Sequence, residues 1–475
     1  MITEYDDLDA LALAALVRGK HVSAAEVLET AQDRIARRNP ALNALVTPLF
    51  GDARGEVAAG LPDGPFTGVP FALKELVVSV LGAPSTAASR LYADAMPTAD
   101  SEIVARLRRA GLVILGKTNS SEFGLAPATE SALFGAARNP WNTDFSPGGS
   151  SGGAASMVAA RMLPMAHATD GGGSIRIPAS CCGLFGLKPT RGRVSFGPEG
   201  AEGLGGLAHQ HAVTRSVRDS AALLDVVAGP MAGDPYTAQK PDRPFLQEVG
   251  APTGRLRIGF ATTSPGGFDI DPACIAAVHA AARLCESLGH EVQEATPAFN
   301  AETVFADFTT VFLVGAATNV ARRTGGELPA PGMLEPLTYA AAARGQKISA
   351  ADYTLALARL HREARRVATF FERYDIWLTP TLTSPPRRIG FFDTATADVD
   401  AWFRRVVAFI PFTALCNITG QPAANVPLYW NADGLPIGCQ FAARYGDEAT
   451  LFRLSAQLEQ AQPWQQRKPQ LRVQA

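Results

Sequence analysis

Two serine-glycine runs, the second beginning 24 residues after the first serine of the first, restrict this chain more than any other feature. The first reads Ser146-Pro147-Gly148-Gly149-Ser150-Ser151-Gly152-Gly153, and the second reads Asp170-Gly171-Gly172-Gly173-Ser174-Ile175-Arg176. Backbone this rich in glycine takes turns closed to other residues, and its N–H groups can converge on one point. Upstream, Gly68-Val69-Pro70-Phe71-Ala72-Leu73-Lys74 is an apolar, strand-like run ending on a lysine. Serines on pliant backbone and a lysine closing a buried strand are the parts of a hydrolase that works without histidine. A serine hydroxyl is a weak nucleophile until a base takes its proton. Lysine, near 10.4 when unperturbed, can be that base only where burial holds it neutral.

Strand and helix signals alternate along the chain. Residues 6 to 37 read as two helices, with Ser23-Ala24-Ala25-Glu26 as a capping box between them. Glu102 to Ala110 reads as a helix, Leu112 to Leu115 as a short buried strand, and Ala154 to Ala160 as a helix of small residues. Strand Leu256 to Phe260, helix 271 to 288 and strand Glu291-Val292 make a βαβ-like series. Helix 351 to 373, strand Asp375 to Leu378 and a closing helix from Asp447 to Gln460 follow. The alternation predicts an α/β fold whose sheet is covered on both faces.

Composition narrows the function classes. With 47% apolar and 19% charged residues, the 475-residue chain reads as soluble with a large core. A net charge of −2 gives no reason to expect nucleic acid or an anionic membrane as partner. No apolar run approaches the roughly 18–20 residues of a membrane span. The N-terminus lacks a signal-peptide pattern, and the six cysteines, with no Cys-x-x-Cys, read as free thiols of a cytoplasmic protein.

The motif residues resemble the amidase signature family, serine hydrolases of amides and related C–N bonds. The resemblance runs through the Lys74 segment, Gly116-Lys117-Thr118-Asn119, the stretch from Ser146 to Val194, and Thr214-Arg215-Ser216-Val217. It continues through Leu378-Thr379-Pro380-Thr381, Asn417-Ile418-Thr419-Gly420-Gln421-Pro422 and Gly434-Leu435-Pro436-Ile437-Gly438, and is weakest between about 230 and 370. It implies a single amidase signature domain over 1–475 with one large mixed β-sheet sandwiched by α-helices, and a variable, lid-forming region about 300–345. It further implies Ser174 as nucleophile and Ser150, after a cis peptide, as the serine that passes its proton to Lys74. The backbone amides of Gly171, Gly172, Gly173 and Ser174 would form the oxyanion hole, with donors aimed at the oxygen that becomes negative. The scheme takes no metal and no cofactor. Ser151, Asp170 and Arg176 read as scaffold.

Three departures refine the resemblance. Glu75 stands where members often carry Asp, and Gly171 where many carry Thr. Ile177 stands where glutamine-dependent tRNA amidotransferase subunits usually have Gln. The stretch His167 to Ser174, with Asn417 to Pro422, is closer to the branch of nylon-oligomer hydrolases, aryl acylamidases and urethane-cleaving amidases. The implied reaction is hydrolysis of secondary amides, anilides and carbamates. The alternative is a glutamine-amidotransferase-type subunit acting with partner proteins, and a homodimer is left open. Phe123, Leu125 and Phe145 are candidate pocket residues, and Gly197 to Gly206 reads as a loop near the site.

Other motifs carry less. Gly111 to Thr118 fits the Walker A letters, but its interval is an apolar strand where a phosphate cradle needs a loop. Gly148-Gly149-Ser150-Ser151-Gly152 fits the G-x-S-x-G elbow, yet Pro140-Trp141-Asn142-Thr143-Asp144 precedes it in place of a hydrophobic strand. The histidines show no metal spacing such as H-E-x-x-H; His209-Gln210-His211 could bind a metal but reads first as a solvated loop pair, and His167 reads as a core histidine near the site.

Overall fold

Short segments, most of them buried, form the strands, and longer stretches form the helices around them. The computed structural model describes residues 2–471. Eight strands make one sheet in the edge-to-edge order Glu291–Glu294, Arg257–Phe260, Ile376–Pro380, Pro436–Ala443, Ala423–Trp430, Phe185–Lys188, His209–Thr214 and Met165–Asp170. The first three pair in parallel and the remaining pairs are antiparallel, so the sheet is mixed. Alternate side chains divide between two cores: Ile376, Leu378, Ala424 and Phe441 join one, while Trp377, Ala423 and Ala442 join the other. Helices Pro272–Ser287, Glu448–Ala461, Val217–Val227 and Arg176–Cys182 pack on the sheet. The βαβ series appears as expected, with Arg257–Phe260 parallel to Glu291–Glu294.

A separate three-stranded sheet, in the order Leu45–Pro48, Val113–Thr118, Pro70–Lys74, lies with its last strand against Met165–Asp170. At this seam the strand carrying Lys74 meets the strand that leads into the second glycine run. The N-terminal helices are Ala10–Arg18 and Ala24–Leu42; Ser23 and Glu26 close the capping box between them.

Two expectations need correction. His209 and His211 are buried in the strand His209–Thr214, where Leu207 O lies 2.9 Å from His209 Nδ1 and Ser220 Oγ lies 3.0 Å from His211 Nε2. Alternation along a strand buried on both faces, not a loop, places these imidazoles. The helix Ala301–Thr324 is, against the reading above, long and apolar enough to cross a membrane, with a mean hydropathy of 1.5 over 18 residues. Here it packs on helices Pro336–Gly345 and Ala350–Ala368 and carries Asp307, paired with Arg359 at 2.6 Å.

Candidate active site

Lys74 ends the strand Pro70–Lys74, every residue of which is buried. Its backbone N–H donates to His167 Nδ1 at 3.3 Å, tying it to the neighbouring sheet. Its Nζ lies 2.7 Å from Ser150 Oγ and 2.8 Å from Thr169 Oγ1. Burial pushes the Lys74 ammonium down to about 7, with Asp170 pulling the other way. Burial, with help from Lys74, also lowers His167 to about 3, so that imidazole is neutral at ordinary pH.

The first glycine run holds Ser150 against this lysine. The Gly149–Ser150 peptide is cis. A Cβ at Gly149 would stand 2.4 Å from Ala128 O, a clash that leaves glycine as the residue that fits. Thr129 Oγ1 donates to Gly148 O at 2.9 Å and accepts from Gly152 N–H at 3.0 Å, pinning both sides of the turn. Ser151 Oγ exchanges hydrogen bonds with the Thr169 backbone, the loop-supporting part expected of it.

The second run is shaped from beneath by a buried polar network. Asp170 accepts from Gly173 N–H at 2.7 Å, from Ile175 N–H at 3.2 Å and from Asn417 Nδ2 at 2.8 Å, and pairs in fork geometry with Arg176. Burial alone would raise the Asp170 carboxyl, but the Arg176 guanidinium and the Asn417 amide outweigh it and hold it well below the usual carboxylate range. Arg176 spends its remaining donors on Thr413 O, Gln440 Oε1 and Asn417 Oδ1. Thr413 Oγ1 donates to Gly172 O at 2.7 Å. A buried ion pair is tolerable when its other lone pairs and protons are satisfied, and this one is. At Gly173, φ of +136° excludes residues with a side chain, and a Cβ at Gly172 would come 2.8 Å from Phe308 Cζ.

Ser174, 9% exposed, lines a cleft with Gly124, Leu125, Ala126, Pro127, Gly172, Ile177, Phe308, Phe312, Phe403, Val406 and Ile410. The cleft encloses about 310 Å³, counting its open mouth, and no charged side chain faces it. Gly124 connects it to the lysine: a Cβ there would stand 3.2 Å from Ser150 Oγ. Among the described residues no cluster of three or more His, Cys, Asp or Glu side chains could hold a metal ion.

The amidase family profile matches residues 26–452. A 6-aminohexanoate-cyclic-dimer hydrolase of Paenarthrobacter ureafaciens is 40% identical over 98% of this chain and 96% of its own length. The chain belongs to the amidase signature family. The structure of a 6-aminohexanoate cyclic dimer hydrolase complexed with substrate superposes with a TM-score of 0.93 at 37% identity, over 99% of this chain and 100% of that one. A bacterial aryl acylamidase of the amidase signature family superposes with a TM-score of 0.87 at 29% identity, over 97% of each chain. The protein is thus an amidase, a hydrolase of amide C–N bonds, and its large mixed sheet flanked by helices is the family's fold.

Within this amidase fold, Lys74 and Ser150 come into direct contact, and Ser174 lines the adjoining cleft. Of the expected pocket residues Leu125 lines the cleft. Phe123 is packed edge-on against Tyr92, while Phe145 lies under the Arg388 guanidinium. Thr169 as a partner of Lys74 and the aromatic walls Phe308, Phe312 and Phe403 were not identified from sequence. The repeated phenylalanines of helix Ala301–Thr324 were the available signal for the walls. Lys117, the lysine of the Walker-like run, is buried in a strand and paired with Glu75. No phosphate cradle forms around it.

Proposed function

We propose that this amidase hydrolyses secondary amides and anilides flanked by apolar groups, and carbamates of similar shape, through a relay of Ser174, Ser150 and Lys74. The observation that carries the reading is the 2.7 Å contact between Ser150 Oγ and a buried Lys74 Nζ held near 7 beside the Ser174 cleft. Neutral Lys74 takes the proton of Ser150 as Ser150 takes that of Ser174, and Ser174 Oγ attacks the carbonyl carbon. The carbonyl oxygen, now negative, rests on backbone N–H groups of Gly171 to Ser174. Because the Gly173 N–H is engaged by Asp170, the hole draws chiefly on Gly171, Gly172 and Ser174. The proton returns through Ser150 to the leaving nitrogen, the C–N bond breaks, and water hydrolyses the acyl-enzyme. An N-aryl carbamate follows the same course; its acyl-enzyme hydrolyses to an alcohol and CO₂.

The substrate class rests on the cleft walls. An apolar cleft offers the charged ends of free glutamine no partner, and a charge stripped of water without one is costly. A cyclic dimer of 6-aminohexanoate, the compound named for the relatives, has both ends tied into secondary amides with only methylenes beside them. Helix Ala301–Thr324, within the region expected to vary, lines the cleft with Phe308 and Phe312, which supports reading it as the lid. The test is turnover of 4-nitroacetanilide, the 6-aminohexanoate cyclic dimer and L-glutamine by the wild type and Ser174→Ala. Turnover of the first two that disappears in the variant is expected. Preference for glutamine, or an active Ser174→Ala, would overturn the proposal.

A further inference from the structure

We infer that Leu204 is a specificity-determining residue, a wedge that bounds the cleft between the second glycine run and helix Ala301–Thr324. The inference rests on the amidase reading above and deepens it. Leu204 lies on the glycine-rich strap from Gly197 to Gly206, and its φ of +56° is continued by +59° at Gly205 and +80° at Gly206. Leucine seldom adopts this left-handed conformation unless its surroundings enforce it. Here the strap is fastened just behind it. Arg191 Nε donates to Gly206 O at 2.6 Å, and Ala208 N–H donates to Gly203 O at 3.1 Å. Arg191 also donates to Asn417 O, and Asn417 is the side chain that grips Asp170. The strap is therefore tied to the frame that shapes the Ser174 loop.

The leucine side chain fills a notch made by two missing side chains. A Cβ at Gly315, on the helix, would stand 2.5 Å from Leu204 Cδ1. A Cβ at Gly171 would stand 3.1 Å from Leu204 Cδ2 and 3.8 Å from Phe312 Cζ. Phe312 lines the cleft, so Leu204 sits beside a cleft wall and against the loop that carries Ser174. Both Leu204 and Gly171 are half-buried, and their neighbours Phe312 and Gly172 line the cleft, so the contact stands directly behind that lining. A side chain in that place sets the width available to the group held beside the scissile bond. The choice of residue at position 315 fits the same contact. Alanine is the better helix former at an interior position, so glycine there reflects the space Leu204 takes.

The test compares kcat/KM for two 4-nitroanilides, acetyl and phenylacetyl, in the wild type, Leu204→Ala and Leu204→Trp, together with melting temperatures of a Leu204→Ala/Gly315→Ala cycle. Leu204→Ala should raise the phenylacetyl-to-acetyl ratio about tenfold, and Leu204→Trp should lower it by a similar factor. Gly315→Ala should lower the melting temperature of the wild type and raise that of Leu204→Ala, where the notch is empty. A ratio constant within about twofold across both variants would overturn the inference. So would an equal melting shift from Gly315→Ala in both backgrounds. A wild type that cleaves neither anilide would count against the proposed substrate class, while the melting cycle still decides the wedge.

Discussion

Lys74 and Lys117 stand on adjacent parallel strands of the small sheet, both fully buried, and the protein has built opposite surroundings for them. Lys117 Nζ lies 3.4 Å from Glu75 Oε1, with Pro84 O and Ser85 Oγ as further acceptors. Burial lowers its ammonium, but the Glu75 carboxylate works against that fall. Lys74 is given two hydroxyls and no carboxylate in contact. The carboxylate that acts on it, Asp170, is already engaged with Arg176. A buried lysine with a carboxylate is a structural cation; one with hydroxyls alone can lose its proton at neutral pH and serve as a base. The contrast teaches that burial supplies the depressed pKa and the choice of partner decides whether it is kept.

The comparison can be broken at several points. Lys74→Met should lower kcat/KM for an anilide by about 10⁴-fold with the fold retained, measured by steady-state rates and circular dichroism. Ser150→Ala should cost about 10²–10⁴-fold, since the proton loses its bridge. Lys117→Met should act on stability instead. It leaves Glu75 buried without its cation, and chemical denaturation should show a loss of about 3–5 kcal/mol. Lys117→Met with Glu75→Gln should recover part of that loss, because no unpaired charge then remains. Thr169→Val should be the mildest of the series, roughly tenfold in rate, through loss of one hydrogen bond that orients Nζ.

The pH profile sharpens the same contrast. In the proposed relay Lys74 works when neutral, so kcat/KM should be low under acid conditions, rise through about pH 7, and level off above it. Glu122, raised to about 7 by burial and by Glu335, titrates in the same range close to the cleft. Glu122→Gln should leave the inflection where it is, and so should Lys117→Met. An inflection that vanished with Glu122→Gln would move the base away from Lys74.

The turns of the two glycine runs and the buried strand that ends at Lys74 were legible in sequence because their signals are local. Glycines around Ser150 and Ser174, and an apolar lead-in to Lys74, announce their conformations within a few residues. The capping box at Ser23 and the βαβ series could be read for the same reason. The cleft was not legible. Phe308, Phe312, Phe403 and Val406 sit on two helices far along the chain, with Ile410 just after the second, and a phenylalanine facing a cleft has the same pattern as one facing a core. Phe145 stood next to the first glycine run in sequence, yet its ring went to Arg388. His209 and His211 misled because a glycine-rich strap precedes them. Their burial depends on acceptors at Leu207 and Ser220 that sequence proximity does not reveal.

The relay stands or falls on which serine carries the acyl group. The most direct measurement is peptide mapping by mass spectrometry after quenching the enzyme with an activated ester that deacylates slowly. The account predicts one acyl adduct on Ser174, abolished in Ser174→Ala and formed far more slowly in Lys74→Met. An adduct on Ser150 or Ser151, or one formed at the wild-type rate without Lys74, would contradict it.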